Sequence, residues 1–444
     1  MAERKYYTAP DVAERAVRGC WPELNFRLGE QIGHGGMSDV YKLAAGGRVE
    51  ALKVTNSAAR ADTPELFEDL CWRGANELEY ARRMSEAGCG VKVYDTAEFA
   101  LSDSDNNRRL FLIRMEYLQS LPKYLEQLQE AERTATVLAA LESIAKNIQK
   151  MEKEKTLHRD IKPENILVKN CGASPEFFLT DFGLARPNYL ESKMDNFSIS
   201  GTGCYRAPEL LEGREIVGNK SDIYSLGVSL YKLLVHKGKK RLQFDPLIFA
   251  HQVDQYKDVP DDILEVILAL TKNDPQERLS PQKAATALHR ALLVHDKERY
   301  AVALKTALYA LRGRCANANE LVNSLPRGAA ATLLAAAAAL QHKDAKTARQ
   351  LLAGSDHPAC WFYLAGVIPE QAQSLLERAA RAGYAPARAA LLGLPRNPQK
   401  QLAALRRLAA TVKGDRKCQV LLCPGRRAVI TMRISLPRNV MNMS

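Results

Sequence analysis

The sequence predicts an α+β protein in three parts: a small β-rich lobe, a larger helical lobe, and an all-α extension of helical hairpins. Three patterns carry that prediction. Strand-length apolar runs separated by glycine turns fill residues 26–54, helical periodicity dominates from Leu121 to about residue 295, and Ala-rich helix-length segments recur beyond residue 301. A small β-rich part followed by a large helical one puts two lobes around a cleft.

Each element follows from its local pattern. F-R-L-G-E-Q-I from Phe26 reads as a strand, G-H-G-G-M-S (Gly33–Ser38) as a Gly-rich turn, D-V-Y-K-L from Asp39 as a second strand, and R-V-E-A-L-K-V (Arg48–Val54) as a third. Together they form an antiparallel meander. A helix is expected from about Thr63 to Ala87. R-L-F-L-I-R-M-E-Y-L from Arg109 is a buried strand with its polar end at Glu116. The pattern turns helical at Leu121; the short strands I-L-V-K (Ile166–Lys169) and F-F-L-T (Phe177–Thr180) then flank two Asp-containing turns, and residues 221 to about 295 return to helices.

The extension differs in kind. A-A-T-L-L-A-A-A-A-A-L, A-K-T-A-R-Q-L-L-A-G and Q-A-Q-S-L-L-E-R-A-A-R-A-G are separated by short Pro, Gly or Asn breaks, and Pro358-Ala359 and Pro386-Ala387 open similar segments 28 residues apart. Small Ala faces let helices approach closely, which points to stacked helical hairpins. Charge marks the same division: residues 301–444 hold 21 Lys+Arg against 6 Asp+Glu, whereas residues 1–300 hold 42 against 45, so the net charge of +12 comes from the C-terminal third. The expected organisation is an extension over 1–23, a bilobal domain over 24–295, a basic helical region over 301–425 and a tail over 426–444.

Composition excludes several classes. At 444 residues the chain exceeds one hydrophobic core, and 46% hydrophobic with 26% charged residues is globular rather than disordered or fibrous. The N-terminus lacks the apolar segment of a secretory signal, and the longest weakly polar stretch, residues 328–340, falls short of the ~20 residues that span a bilayer. Ala2 excludes N-myristoylation and the end in N-M-S is no prenylation box. No membrane anchor is expected. Nine scattered cysteines suit reduced thiols in the cytoplasm, and Cys418 with Cys423 lacks a second pair for zinc.

Three runs carry chemistry. Gly33–Val40, G-H-G-G-M-S-D-V, sets glycines between two strands, where backbone N–H groups donate to anionic oxygens; Lys53 on the next strand adds a cation within reach. L-H-R-D-I-K-P-E-N-I-L (Leu157–Leu167) combines Asp160, Lys162 and Asn165, which suit proton acceptance from a hydroxyl, neutralisation of a transferred phosphoryl group, and ligation of Mg²⁺ through an amide oxygen. T-D-F-G-L-A (Thr180–Ala185) adds Asp181, a hard oxygen ligand for Mg²⁺, and G-T-G-C-Y-R-A-P-E (Gly201–Glu209) closes the intervening segment.

In this order and spacing the runs, over about residues 24–295, resemble the protein kinase superfamily and specifically the bacterial eukaryotic-like (Hanks-type) serine/threonine kinases. The resemblance implies the bilobal kinase fold and transfer of the γ-phosphate of ATP to Ser/Thr hydroxyls of protein substrates, with Mg²⁺, or Mn²⁺ in its place. It implies that Asp160 is the base and that Asn165 and Asp181 hold the metal. Ile32, Gly33, Gly35, Gly36, Ser38, Val40, Ala51 and Lys53 would surround the nucleotide, Met115 would line the back of the adenine pocket, and Glu116 to Leu118 would form the hinge. Lys53 pairs with a Glu on the following helix: Glu77, with Glu79 as rival. Ser/Thr preference rests on Lys162 and on Thr202, which would bond both Asp160 and Lys162. Glu209 would pair with a buried Arg278, and Asp222 would fix the catalytic loop. Ser38 stands where the family pattern has its third glycine.

Two regulatory expectations follow. Arg159 precedes the base, so autophosphorylation at Ser198 or Ser200, among Ser192 and Thr202 of the same segment, would order it. The basic extension would dock a protein partner or substrate, faintly resembling tetratricopeptide-like repeats; nucleic-acid contact through charge is disfavoured for want of aromatics, and simple packing on the large lobe is a third reading. A pseudokinase-type scaffold presenting the repeats is the alternative from another class; intact Lys53, Asp160, Asn165 and Asp181 argue against it.

Overall fold

A computed structural model of the chain describes residues 8–35, 38–57, 63–103, 106–171, 174–187, 203–212, 218–236, 242–393, 420–421 and 431–432. The chain divides into two compact units, Met1–Ala291 and Leu292–Ser444.

The first unit opens with helix α1 (Pro10–Cys20), started by Pro10 and burying Ala13, Ala16 and Val17. The small lobe is an antiparallel sheet of β1 (Phe26–His34), β2 (Ser38–Ala45), β3 (Arg48–Asn56), β4 (Val93–Asp103) and β5 (Asn106–Glu116), in the order β1-β2-β3-β5-β4. Alternation gives it two faces. Tyr41, Leu43, Leu52, Val54, Leu110 and Leu112 form a core with α1 on one face, while Val40, Ala51, Lys53 and Met115 lie on the other. Helix α1 and strand β4 are not among the elements expected above, although each carries its own pattern: Ala13, Ala16, Val17 and Cys20 recur at helical spacing, and Ala97, Phe99 and Leu101 alternate along β4. Helix α2 (Pro64–Glu86) begins at Thr63, whose hydroxyl accepts from the Leu66 N–H. It crosses the sheet at Gly74, which lies against the Phe111 ring so closely that a Cβ would meet it at 2.1 Å.

The large lobe follows: β6 (Gln119–Ser120), α3 (Leu121–Leu125), α4 (Glu130–Lys153), β7 (Thr156–Leu157), β8 (Ile166–Asn170), β9 (Pro175–Leu179), β10 (Arg186–Pro187), α5 (Pro208–Glu212), α6 (Lys220–Leu230), α7 (Pro246–Gln252), α8 (Asp261–Leu270) and α9 (Pro281–His295). Strands β6, β8 and β9 make a three-stranded sheet, and β7 pairs with β10. Helix α6 is buried along its length, and Gly227 lets α8 approach. Arg278, fully buried, makes a two-pronged pair with Glu209 on α5, at 2.7 and 3.0 Å, and donates to the Lys220 and Lys272 carbonyls.

The second unit contains α10 (Lys297–Arg312), α11 (Ala318–Asn323), α12 (Ala329–Gln341), α13 (Ala345–Ala353), α14 (Pro358–Val367), α15 (Ala372–Arg381) and α16 (Ala385–Gly393). Helices adjacent in sequence are neighbours in space. Three small apolar clusters follow one another along the chain, around Leu334, around Leu352 and Leu364, and around Leu376 and Ala379. That is a quasi-one-dimensional stack of hairpins. Among the described residues no helix is long and apolar enough to cross a membrane.

Candidate active site

The sheet supplies the roof. Register pairs Val40 with Lys53 and Ala51 with Met115, which sets all four on one face, with Lys53, Ala51 and Met115 buried. The glycine turn is closed by the pairing of Gly33 with Val40 and by the Gly35 N–H donating to the Ser38 carbonyl at 2.8 Å. Ile32 is half-buried on β1. Gly36 lies outside the described residues.

Helix α2 supplies the counter-charge. Lys53 Nζ donates to a Glu77 carboxylate oxygen and to Asp181 Oδ1, the latter at 2.9 Å. Thr55 Oγ1 donates to the other Glu77 oxygen at 3.2 Å. Glu79 is about 200° further round the helix, exposed, and lies 3.8 Å from Arg83. Of the two acids weighed from the sequence, Glu77 is therefore the one that meets Lys53. Burial opposes the Lys53 charge, but Asp181 and Glu77 outweigh it and raise the ammonium well above its usual range. Burial pushes the Glu77 carboxyl up, against the pull of Lys53. The enclosing walls disfavour a charge on Asp181 too, but there Lys53 wins and the carboxyl is held down at about 2.

The hinge follows β5. The Glu116 N–H donates to the Lys92 carbonyl at 2.8 Å, the Glu116 carboxylate meets Lys169 Nζ at 2.9 Å, and Leu118 is half-buried just beyond.

The floor is the loop between β7 and β8. Lys162 Nζ and Asn165 Nδ2 both donate to Asp160 Oδ2, at 2.7 and 2.9 Å, and the same Asn165 nitrogen donates to the Asp160 carbonyl at 2.8 Å. Burial raises the Asp160 carboxyl above its ordinary range; Lys162 opposes the shift and the Asp181 charge adds to it.

Two buried groups that the sequence reading leaves without a chemical role, or with only an implied one, set this loop. Asp222 on α6 accepts the His158 and Arg159 N–H groups, each at 2.9 Å. Those bonds hold Arg159 at φ +66°, a left-handed conformation costly for a side-chain-bearing residue. His158 Nε2 donates to the Thr180 carbonyl at 3.1 Å while Nδ1 accepts the Asp160 N–H at 3.3 Å, so one neutral tautomer satisfies both; burial lowers its pKa accordingly. The Thr180 N–H donates in turn to the Asn165 carbonyl at 3.1 Å, tying the Asp160 loop to the strand before Asp181. Asp181 itself sits at φ +68°. Beyond it, Asn76 Nδ2 on α2 donates to the Ala185 carbonyl at 3.0 Å. Asn76 stands next to Glu77 in a polar helix face, and nothing in its local pattern marks it.

The oxygen donors fit a divalent metal. Asp181 and Asn165 offer one carboxylate and one amide, and the Asn165 nitrogen is spent on Asp160, so the amide would present its oxygen to a metal. Among the described residues no group of three His, Cys, Asp or Glu forms an all-protein cage. A sparse hard-oxygen set suits Mg²⁺, which keeps waters and substrate phosphates in its shell. Thr202, Ser192, Ser198 and Ser200 lie outside the described residues.

A two-lobed α+β fold with a lysine–glutamate pair in its roof and an Asp–Lys–Asn loop in its floor defines a class, and the comparison with known families agrees: residues 26–292 match the protein kinase domain, and the chain belongs to that family. Proteins similar to this chain include bacterial serine/threonine kinases. It is 31% identical over 249 residues to the probable serine/threonine-protein kinase pknA2 of Bifidobacterium longum, covering 54% of this chain and 30% of that protein. It is 30% identical over 288 residues to serine/threonine-protein kinase PknD of Chlamydia caviae, covering 58% and 30%. It is 29% identical over 289 residues to serine/threonine-protein kinase PknB of Mycolicibacterium smegmatis, covering 61% and 43%. The chain thus spans less than half the length of these relatives.

Proposed function

We propose that this chain is an ATP-dependent protein serine/threonine kinase that transfers the γ-phosphate to Ser/Thr hydroxyls of protein substrates and to its own segment between Asp181 and Glu209. The observation that carries the reading is the convergence of two clusters, Lys53 with Glu77 and Asp181, and Asp160 with Lys162 and Asn165, joined through the Thr180 backbone.

Each group has a task in phosphoryl transfer, where positioning and charge stabilisation dominate. Lys53, kept charged and held straight by Glu77, binds nucleotide phosphates. Asp160 accepts the proton of the attacking hydroxyl; Lys162 and Asn165 occupy Oδ2 and so fix the carboxylate for that purpose. Lys162 is also placed to stabilise the charge of the phosphoryl group in transit. Asp181 and Asn165 would hold Mg²⁺, or Mn²⁺ in its place, which would supply charge neutralisation at the phosphate oxygens. Ile32, Gly33, Gly35, Ser38, Val40, Ala51 and Met115 form the nucleotide's walls, and the backbone of Glu116 to Leu118 recognises the adenine edge. The helical hairpins of the second unit dock a protein partner or substrate.

Transfer of labelled phosphate from ATP to a generic basic protein tests this. Asp160→Asn keeps the shape and removes the base, and a loss of about 10²–10⁴ in rate is expected. Equal activity in wild type and variant would remove Asp160 from its role. Mass spectrometry after incubation with Mg·ATP checks the second part: phosphate is expected on Ser198 or Ser200.

A further inference from the structure

Resting on the nucleotide-binding reading above, we infer that the N-terminal segment Thr8–Trp21 is a positioning element for the phosphate loop, acting through Asp39. This segment precedes the residues that match the kinase domain, which begin at residue 26.

Asp39 is the first residue after Ser38 in the glycine-rich hairpin, and alternation turns it to the face away from Val40 and Lys53. Its side chain has no solvent exposure, yet it does not meet the nucleotide face. Among the described residues, donors that meet its carboxylate are Gln31 Nε2 at 2.6 Å and His34 Nδ1 at 2.7 Å on Oδ1, and the Thr8 N–H at 2.7 Å on Oδ2. Gln31 and His34 belong to β1, so Asp39 cross-links the two stems of the hairpin whose tip holds Gly35. The Thr8 N–H comes from outside the hairpin. Thr8 is anchored again by Tyr41, whose hydroxyl donates to the Thr8 carbonyl.

The far end of the segment is fixed independently. Trp21 Nε1 donates to Asp95 at 2.8 Å, and the Trp21 ring lies 5.2 Å from the guanidinium of Arg114, which pairs with the buried Glu50 at 2.9 and 3.1 Å. Between these anchors Ala13, Ala16 and Val17 are sealed against the sheet. The segment is therefore a strap pinned at both ends, and its leading peptide group sits on a buried carboxylate that holds the loop's stems together. A loop that must present backbone N–H groups to phosphates binds more tightly when its stems are already ordered, because less entropy is lost on binding. The strap supplies that order without touching the ligand.

Two substitutions separate this from a general stabilising role. Thr8→Pro deletes the N–H that Asp39 accepts, and Tyr41→Phe deletes the hydroxyl that holds the Thr8 carbonyl; neither side chain faces the nucleotide. Both are expected to raise Kd for Mg·ATP, measured by titration calorimetry, by about 3- to 10-fold, the range left when part of a hydrogen bond to a charged group is transmitted to the loop. Turnover at saturating ATP and KM for the protein substrate stay within about twofold. Hydrogen exchange of the Gly33–Val40 amides in the ligand-free protein is expected to speed up while exchange in α6 is unchanged. Unchanged loop exchange in both variants overturns the inference, as does a proportional fall of saturated turnover with melting temperature. Wild-type protein that binds no nucleotide overturns the kinase reading instead, and the exchange measurement still decides the strap.

Discussion

At the scale of the residue, the site is a set of charges whose burial is compensated unequally. Asp181 is held ionised by Lys53, whereas burial pushes Asp160 upward and its nearest cation, Lys162, only partly offsets it. The sign of the consequence is fixed by the direction. A base with a raised pKa stays protonated to a higher pH, so the acid limb of kcat/KM lies above the ~4 of a free Asp, and activity is lost as pH falls through it. Lys162→Met removes the opposing ammonium and is expected to move that limb further up, besides slowing transfer; a pH profile of both proteins checks it. A limb that stays put would detach the titration from Asp160. His158 completes the residue picture, since its neutral form is the only one that serves both of its backbone partners.

At the scale of the element, close approach between helices and sheets sets where these residues stand. Gly227 in α6 faces Leu270 and Thr271, and a Cβ there would lie 2.6 Å from the Thr271 methyl and 2.7 Å from Leu270 Cβ. Two effects of Gly227→Ala oppose each other. Helix propensity favours Ala by about 1 kcal/mol, while overpacking a sealed interface costs about 1–3 kcal/mol. The neighbouring atoms belong to short side chains in a buried interface, so overpacking wins and net destabilisation of up to about 2 kcal/mol is expected by denaturant titration. Because α6 also carries Asp222, the variant is expected to lose turnover in step with that loss of packing. Gly74 plays the same part for α2, seating Glu77 over Lys53.

At the scale of the whole molecule, two units each have their own core. Heating is expected to give two transitions, and Mg·ATP at about 100 times its Kd is expected to stabilise one of them by about 2.7 kcal/mol while leaving the other in place. Differential scanning calorimetry of the full chain, with and without nucleotide, checks this. Leu334→Ala, in the first cluster of the helical stack, identifies the second transition by lowering it alone, since removing a fully buried Leu costs about 2–5 kcal/mol. A single transition shifted by both would mean that the two units unfold as one.

Much of this was legible in the order of residues, for definite physical reasons. Asp160, Lys162 and Asn165 lie within six positions, so a turn of chain is enough to bring them together, and the meander of β1 to β3 is written in alternating residues around glycines. The Ala-rich periodicity likewise determined hairpins in the second unit, because small faces pack only against near neighbours. What needed the tertiary structure was every pairing across long separation. Glu77 rather than Glu79 meets Lys53 because the helix phase relative to β3 decides it, and Asn76 reaches Ala185 across 109 residues. Strand β4 and helix α1 were legible in principle, from the alternation of Ala97, Phe99 and Leu101 and the helical spacing of Ala13, Ala16, Val17 and Cys20, but only the folded sheet shows what those faces bury against. Asp39 is the clearest instance. Its sequence neighbours place it beside the glycine turn, but only the folded chain brings Thr8 to it, since a backbone N–H carries no signature in the sequence and its partner is chosen by packing alone.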